Sequence, residues 1–344
     1  SCRHHQLRTI LPVDLLAGCC DKAATDPVSY PVVGRKLKMN PVTESVSTLN
    51  KHPQNTHGLR STNNAARLSV SESESEAERL AQFLRANAPV TILTGAGIST
   101  ASGIPDYRDE NGNWKRKQPV QHQEFMQSLD VRRRYWARSL VGWPVMQNAA
   151  PNGAHLFIQT LEQQGVVHRV ITQNVDRLHQ KAGSARTIDL HGRADEVICM
   201  SCGERHNRHD WHQVCASLNP HFRNLQADVA PDGDADLEMD FSGFNVPDCA
   251  RCDGIMKPDV VFFGDNVPRP RVDECFEAIN QSRALLVIGS SLMVYSGFRF
   301  ARHASVTGKP LAILTRGRTR ADELATLQLS ADIGNTLQHT VKYL

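Results

Sequence analysis

The chain carries two cysteine pairs, Cys199-x-x-Cys202 and Cys249-x-x-Cys252, whose spacing alone suggests chemistry. Each pair sets two thiolates across one turn, and four thiolates match the tetrahedral sulfur shell that zinc accepts. Such a closed shell leaves no position for a reacting water, which makes the site structural. Two other arrangements share the pattern: a pair of redox dithiols, or a zinc site in which His206, His209 or His212 replaces a cysteine. A second feature is the turn Thr94-Gly95-Ala96-Gly97-Ile98-Ser99 behind the apolar run Val90-Thr91-Ile92-Leu93. Small residues there let the backbone approach a pyrophosphate, and a following helix offers its N-terminal amides. The third glycine of the dinucleotide fingerprint is absent, with Thr100 in its place, and no acid follows at the ribose distance. A tight strand-to-helix turn without a ligand has the same appearance. A third feature is His191, which follows a short mixed strand and precedes Gly192. Imidazole titrates near neutral pH, so it can take and return a proton at low cost. Most of the fifteen histidines in a chain like this are structural. Asn174 and Asp176, at the end of another strand, are either ligand contacts or polar caps of a loop.

These residues need elements to hold them. Residues 75–78, Ser-Glu-Ala-Glu, form a capping-box pattern that predicts a helix start, and Ala77, Leu80, Phe83 and Leu84 recur at helical spacing. The patterns predict a strand at 90–93, a helix at 153–164 ended by Gly165, strands at 166–172 and 187–190, a strand at 260–263, a helix at 271–281, a strand at 284–288, a helix at 298–306, a strand at 311–314 and a helical C-terminus. Alternation of this kind gives an α/β fold, a parallel sheet with helices on both faces. Residues 195–257 interrupt it with both cysteine pairs and a polar Asp/Gly-rich stretch, as a small inserted lobe would. The catalytic domain is therefore expected at 71–194 and 258–344, with the zinc-binding lobe at 195–257.

Residues 1–70 lack sustained periodicity and are rich in Ser, Thr, Asn, His and Pro, which predicts a disordered N-terminal tail. The tail holds nine Lys/Arg against four Asp/Glu. Its acids Asp14, Asp21 and Asp26 weigh against a mitochondrial presequence, and Met39 inside it is a candidate start. The whole chain, at 40% hydrophobic and 22% charged with a formal net charge of +3, has an ordinary globular composition. The balanced charge gives no case for a nucleic-acid partner, and the basic run Lys115-Arg116-Lys117 is too short to change that. No apolar run approaches the roughly eighteen residues of a membrane helix. Nine cysteines, an odd number, do not form a secreted disulfide framework, so a reducing compartment is expected, the cytoplasm or alternatively the mitochondrial matrix.

Several motifs occur in one order: Gly95-Ala96-Gly97-Ile98-Ser99, then Ser102-Gly103-Ile104-Pro105-Asp106-Tyr107-Arg108, then Thr172-Gln173-Asn174-Val175-Asp176 with Leu178-His179, then Leu190-His191-Gly192, then Lys257 to Asp265, then Val287-Ile288-Gly289-Ser290-Ser291-Leu292. Together they resemble the sirtuin family over residues 76–344. Tyr135-Trp136-Ala137-Arg138, Val141-Gly142-Trp143-Pro144 and Ala230-Pro231-Asp232-Gly233-Asp234 are similar to its second class, which includes bacterial members and the mitochondrial lipoamidase type. The resemblance implies a Rossmann-like catalytic domain, four-cysteine zinc, and NAD consumed as a co-substrate by a protein-lysine deacylase acting on acylated-lysine proteins. It implies His191 as the base for a ribose hydroxyl, Asn174 orienting the ribose and a water, Asp176 on the nicotinamide carboxamide and Gln173 on the ribose hydroxyls. Further NAD contacts implied are Gly95, Ala96, Gly97, Ser99, Asp106 and Arg108, with Tyr107 as a lid where many members carry phenylalanine, and Gly289, Ser290 and Ser291 as a second wall. One position departs: after the strand at 311–314 the family has an asparagine on the adenosine ribose, where this chain has Thr315 before Arg316 and Gly317. A hydroxyl offers fewer hydrogen bonds than an amide.

Tyr135 and Arg138 stand three residues apart and would share a helix face. A Tyr-x-x-Arg pair at this place in desuccinylase-type sirtuins grips an acidic acyl tail, because a guanidinium fits a carboxylate with two bonds. Helix packing plus a surface arginine is the alternative. The activities that share the fold are protein mono-ADP-ribosylation, lipoamide or acidic-acyl removal, and hydride transfer, the last disfavoured by the incomplete fingerprint.

Overall fold

The computed structural model describes residues 74–344 except 117, 224, 226 and 228–232. The expected tail, Lys117 and the 230–232 part of the class motif lie outside the described residues. A helix α1 covers residues 74–87 and is already formed at 74, so Ser75 to Glu78 lie within it rather than at its start. The six-stranded sheet is built from β1 (Val90–Thr94), β2 (Val167–Thr172), β3 (Thr187–Asp189), β7 (Ala284–Ile288), β8 (Leu311–Leu314) and β9 (Leu327–Leu329). Its order is β3-β2-β1-β7-β8-β9, every neighbour parallel.

Every residue of β1, β7 and β8 is buried. Strands covered on both faces need apolar side chains on both, which is why these segments are rich in Val, Ile, Leu and Ala, while the hydroxyls of Thr91 and Thr94 in β1 are hydrogen-bonded. Alternation sends Ile92, Leu286 and Ile288 to one face, against Leu80 and Leu84 of α1, Ile158 and Leu161 of α4 (Gly153–Gln163) and Leu337 of α9 (Ile333–Thr340). Leu93, Leu285 and Val287 take the other face, against Cys275 and Ile279 of α7 (Arg269–Gln281) and Phe300 and Ala304 of α8 (Tyr295–Val306). At roughly 1.5–3 kcal/mol per fully buried side chain, these two layers supply most of the burial free energy that fixes the sheet.

A second sheet is antiparallel and small, in the order β5-β4-β6, with β4 (Gly192–Cys199), β5 (Arg205–Asn207) and β6 (Met256–Val260). The strand expected at 260–263 is displaced. Residues 256–260 pair with β4 instead, and 261–263 leave the strand toward the site. Apolar Val260 to Phe263 signalled burial, but a periodic pattern does not say against which sheet. The long α3 (Leu129–Asn148), the short α2 (His122–Gln127) and α6 (Arg208–Leu218) pack with this sheet around Trp136, Trp211, Phe222, Phe244 and Met256. Arg208 of α6 is buried, its guanidinium carbon 4.8 Å and 5.1 Å from the ring centres of Trp136 and Trp143. Cation–π contact stands in for a carboxylate there. Among the described residues no helix is long and apolar enough to cross a membrane.

Candidate active site and metal centre

A cavity of about 460 Å³ opens at the C-terminal ends of β1, β2, β7 and β8, where an open parallel sheet places its ligands. The helix after β1 is a seven-residue 3-10 helix, Ala96–Ser102. Its glycines line the cavity and also pack against the turn after β7. A Cβ on Gly95 would lie 2.8 Å from the Gly289 oxygen, and one on Gly97 2.9 Å from it. The amides of Gly95 and Gly97 donate to the carbonyls of Ile288 and Gly289 at 3.1 and 2.9 Å. Both glycines thus clamp the β1 turn onto the turn after β7, and Gly289 itself sits at φ 64°.

From the end of β2 hang Gln173 and Asn174. The Gln173 side-chain amide donates to Ser290 Oγ at 2.7 Å, while the Asn174 amide donates to Gly95 O and Ser99 Oγ, each at 3.1 Å. Ser99 Oγ donates in turn to Asp176 Oδ2 at 2.7 Å, and Asp176 Oδ1 accepts from the Leu178 amide at 2.9 Å. Burial pushes the Asp176 carboxyl above the usual range, against the pull of these bonds. His191 faces the cavity with Nδ1 3.0 Å from Gln173 O and Nε2 2.7 Å from Ser296 Oγ. Burial pushes its imidazole down to about 4, and Arg271 and Arg299 push the same way. The ring is therefore neutral at physiological pH, the state a base requires. At the mouth, Tyr107, Trp114 and Phe263 meet edge to face with centroids 5.5–6.1 Å apart. Such a cluster excludes water from one end of the cleft.

The four cysteine sulfurs lie within 4.8 Å of one another. Cys199 Sγ is 3.5 Å from Cys252 Sγ, and Cys202 Sγ is 3.8 Å from Cys249 Sγ. A tetrahedral zinc with bonds of about 2.3 Å needs sulfur–sulfur separations near 3.8 Å, so the donor set fits. The amides of Cys202 and Ser201 approach Cys199 Sγ, and these bonds, that of Cys202 foremost, pull its thiol down to about 6. Gly254 is required beside it, since a Cβ there would lie 2.7 Å from Cys199 Sγ. The histidine alternatives do not enter: among the described residues the metal-competent group is these four cysteines, and His209 bonds Gln147 of α3.

The Sir2 family profile matches residues 95–296. A Bordetella bronchiseptica protein named NAD-dependent protein deacetylase is 52% identical over 268 residues, covering 78% of this chain and 98% of its own. The chain belongs to the Sir2 family. A Drosophila melanogaster Sir2 relative named NAD-dependent protein deacylase Sirt4 is 46% identical over 268 residues, covering 77% of this chain and 86% of its own. A solved structure described as Sir2-p53 peptide-NAD+ superposes with a TM-score of 0.62 at 30% identity, over 77% of this chain and 96% of that one.

Within this Sir2 cavity the structure brings together Gly95, Ala96, Gly97, Asp106, Tyr107, Arg108, Gln173, Asn174, His191, Gly289, Ser290, Ser291 and Thr315. Three expected contacts are placed elsewhere. Ser99 and Asp176 are buried and bonded to each other behind the wall. Gly317, at φ 80°, is needed because a Cβ would lie 2.3 Å from Glu110 O, a loop contact outside the lining. The structure places the two residues of the acyl pair differently. Tyr135 is buried among Phe125, Trp136 and Phe262, and Arg138 forms a two-pronged pair with Asp234, both contacts 3.0 Å, plus a 2.6 Å bond to Ala235 O. Arg138 does line a second cavity of about 400 Å³ beyond Tyr107 and Trp114, but its charge is already neutralised by Asp234.

Sequence reasoning missed Asn152, Arg316, Arg318 and Asp332 on the cavity wall, and Ser296 against His191. Asp332 caps α9, accepting from the Asn335 amide at 2.9 Å. Asp before a helical pattern is a legible cap, which could have marked where the expected C-terminal helix starts but not its nearness to β8.

Proposed function

We infer that this chain is an NAD-dependent protein-lysine deacylase, moving the acyl group of an acylated lysine to ADP-ribose with release of nicotinamide. The observation that carries it is the convergence of His191, Asn174 and Gln173 with the β1 and β7 turns on one cavity, in a chain that half-matches named deacetylases residue for residue. The lining suits NAD: serine hydroxyls and the Asp332 carboxylate for ribose, Arg108, Arg316 and Arg318 for phosphates, and a volume within the 300–1,000 Å³ usual for ligand pockets.

NAD supplies an activated ribose carbon, bonded to a pyridinium leaving group. The residues do the rest. Asn174 orients the ribose, itself held by Gly95 and by the Ser99–Asp176 pair. Tyr107, Trp114 and Phe263 keep water away while the acyl oxygen displaces nicotinamide. His191 then takes the proton of a ribose hydroxyl, so it acts after nicotinamide has left. Asp176 contributes through Ser99 rather than by direct contact. Zinc held by Cys199, Cys202, Cys249 and Cys252 would fix the lobe that carries β6 and the Phe262–Phe263 loop, and its closed four-thiolate shell would leave no position for a reacting water. We place the protein in a reducing compartment, the cytoplasm or the mitochondrial matrix, in keeping with its cysteine thiols.

Mixing zinc-loaded protein with NAD and an acetyl-lysine peptide should yield nicotinamide, free lysine peptide and O-acetyl-ADP-ribose by mass spectrometry. His191→Tyr should lower turnover on the order of 10²–10⁴-fold without a large change in melting temperature. ADP-ribosylated protein in place of the O-acyl product would overturn the deacylase reading in favour of mono-ADP-ribosylation.

A further inference from the structure

His191 is gripped at both nitrogens, and only one grip belongs to the motifs described above. A carbonyl can only accept, so the contact of Nδ1 with Gln173 O fixes the proton on Nδ1 and leaves the lone pair on Nε2. The partner of that lone pair is Ser296 Oγ at 2.7 Å, the short end of a hydrogen bond to oxygen. Ser296 belongs to the first turn of α8, and the helix start is pressed against Gln173: a Cβ on Gly297 would come 2.5 Å from Gln173 Oε1. The two anchors of the ring, Gln173 O and Ser296 Oγ, are thereby locked to each other.

We propose that Ser296 is a positioning residue for the base, donating to Nε2 of the neutral ring, swinging off that lone pair as the ribose hydroxyl delivers its proton there, and then accepting from Nε2–H of the imidazolium. The inference rests on His191 being the base. A hydroxyl rotates freely between the two roles, which a methyl group or proline in its place does not allow. The sign of its effect follows from relative strengths. Hydrogen bonds to a charged partner are about twice as strong as neutral ones, so the hydroxyl favours the protonated ring on balance. The site needs that help. Arg271 of α7, which donates to Leu190 O at 3.4 Å, and Arg299 of α8, whose Nε is buried with no hydrogen-bond partner among the described residues, both oppose a further positive charge beside them. Gln173 O and Ser296 Oγ are then the two acceptors for the two N–H groups of the imidazolium. Ser296 does not line the cavity, while His191 does, so the serine acts through the ring and not on substrate.

The test compares wild-type protein with Ser296→Ala and Ser296→Thr. Imidazole ¹⁵N spectra at neutral pH read the bond without turnover: Nε2 of His191 should appear as a hydrogen-bonded imine nitrogen in wild type and Ser296→Thr, and move downfield in Ser296→Ala. Deacylation of an acetyl-lysine peptide should fall about tenfold in Ser296→Ala. Exchange of labelled nicotinamide into NAD, which precedes the base's step, should stay within twofold, and Ser296→Thr should restore deacylation. An unmoved Nε2 signal, a threonine variant as slow as the alanine one, or a parallel fall in exchange and deacylation would each overturn the assignment. A wild-type protein that releases no nicotinamide would defeat the deacylase reading instead, leaving the ¹⁵N result to stand by itself.

Discussion

The six-stranded sheet and the zinc lobe solve the same problem with different materials. Each must hold site-forming loops still, but the sheet does so with two apolar layers on β1, β7 and β8, which are buried along their whole length. The lobe has one three-stranded sheet, exposed segments, and a core that leans on four sulfurs, on Trp211 packed at a tilt against Trp136 of α3, and on a buried arginine. A small unit that buries little apolar area needs a metal, and a large two-faced sheet does not. Loss of metal should therefore be a local event in this protein, and loss of an aliphatic side chain a global one.

That contrast can be broken in four ways. Stripping zinc with a chelator, or Cys249→Ser, removes the largest single contribution, since structural zinc is worth roughly 10–16 kcal/mol in zinc-finger peptides. Hydrogen exchange should accelerate in β4 and β6 while β1 and β7 amides stay protected, activity should vanish, and zinc should restore both after chelation. Simultaneous deprotection of β1 would show that the two units are one. Leu286→Ala, at the fully buried centre of β7, should cost about 2–5 kcal/mol and lower the midpoint of the whole denaturation curve. Acid should act on the sheet side. Burial holds His155 down to about 4 and His179 to about 3, against 6.5 when unfolded. The unfolded chain binds more protons between those values, so stability is full above about 6.5 and drains as pH falls toward 4. At pH 5 each histidine should account for about 2 kcal/mol, and urea unfolding of His179→Gln should show a shallower pH slope. The smallest effect is at the lobe's margin. Arg138→Ala leaves Asp234 without its guanidinium, and should cost about 1–3 kcal/mol by thermal unfolding while leaving the ratio of glutaryl- to acetyl-lysine turnover unchanged. A selective loss of glutaryl turnover would reinstate Arg138 as an acyl contact.

Much of the sheet was legible because its strands carry their burial in their composition. Ala284 to Ile288 and Leu311 to Leu314 are apolar throughout and Val90 to Leu93 are apolar but for Thr91, and the structure places β1, β7 and β8 there. β9 was not legible: three residues with Gln328 exposed between Leu327 and Leu329 carry too little pattern. The spacing made the cysteine tetrad a candidate, and the family resemblance favoured it over the redox and histidine arrangements that share the pattern. For the cleft, the residues on the β1, β2 and β7 turns followed from motif order, but their side of the wall did not. Ser99 and Asp176 look no different in sequence from cavity residues, yet a 2.7 Å bond turns them on each other. Ser296 and Asp332 come from helices whose approach is set by packing across the sheet, and no local pattern encodes that.

The order of the strands has a consequence for the making of the protein. The halves of the cleft come from turns near residues 95, 173 and 289, and β1 lies between β2 and β7. β7 leaves the ribosome after the entire lobe, so a nascent chain that already displays its imidazole still lacks the opposite jaw. Translation products that end before β7 would thus lack one jaw of the cleft and should be inert toward NAD.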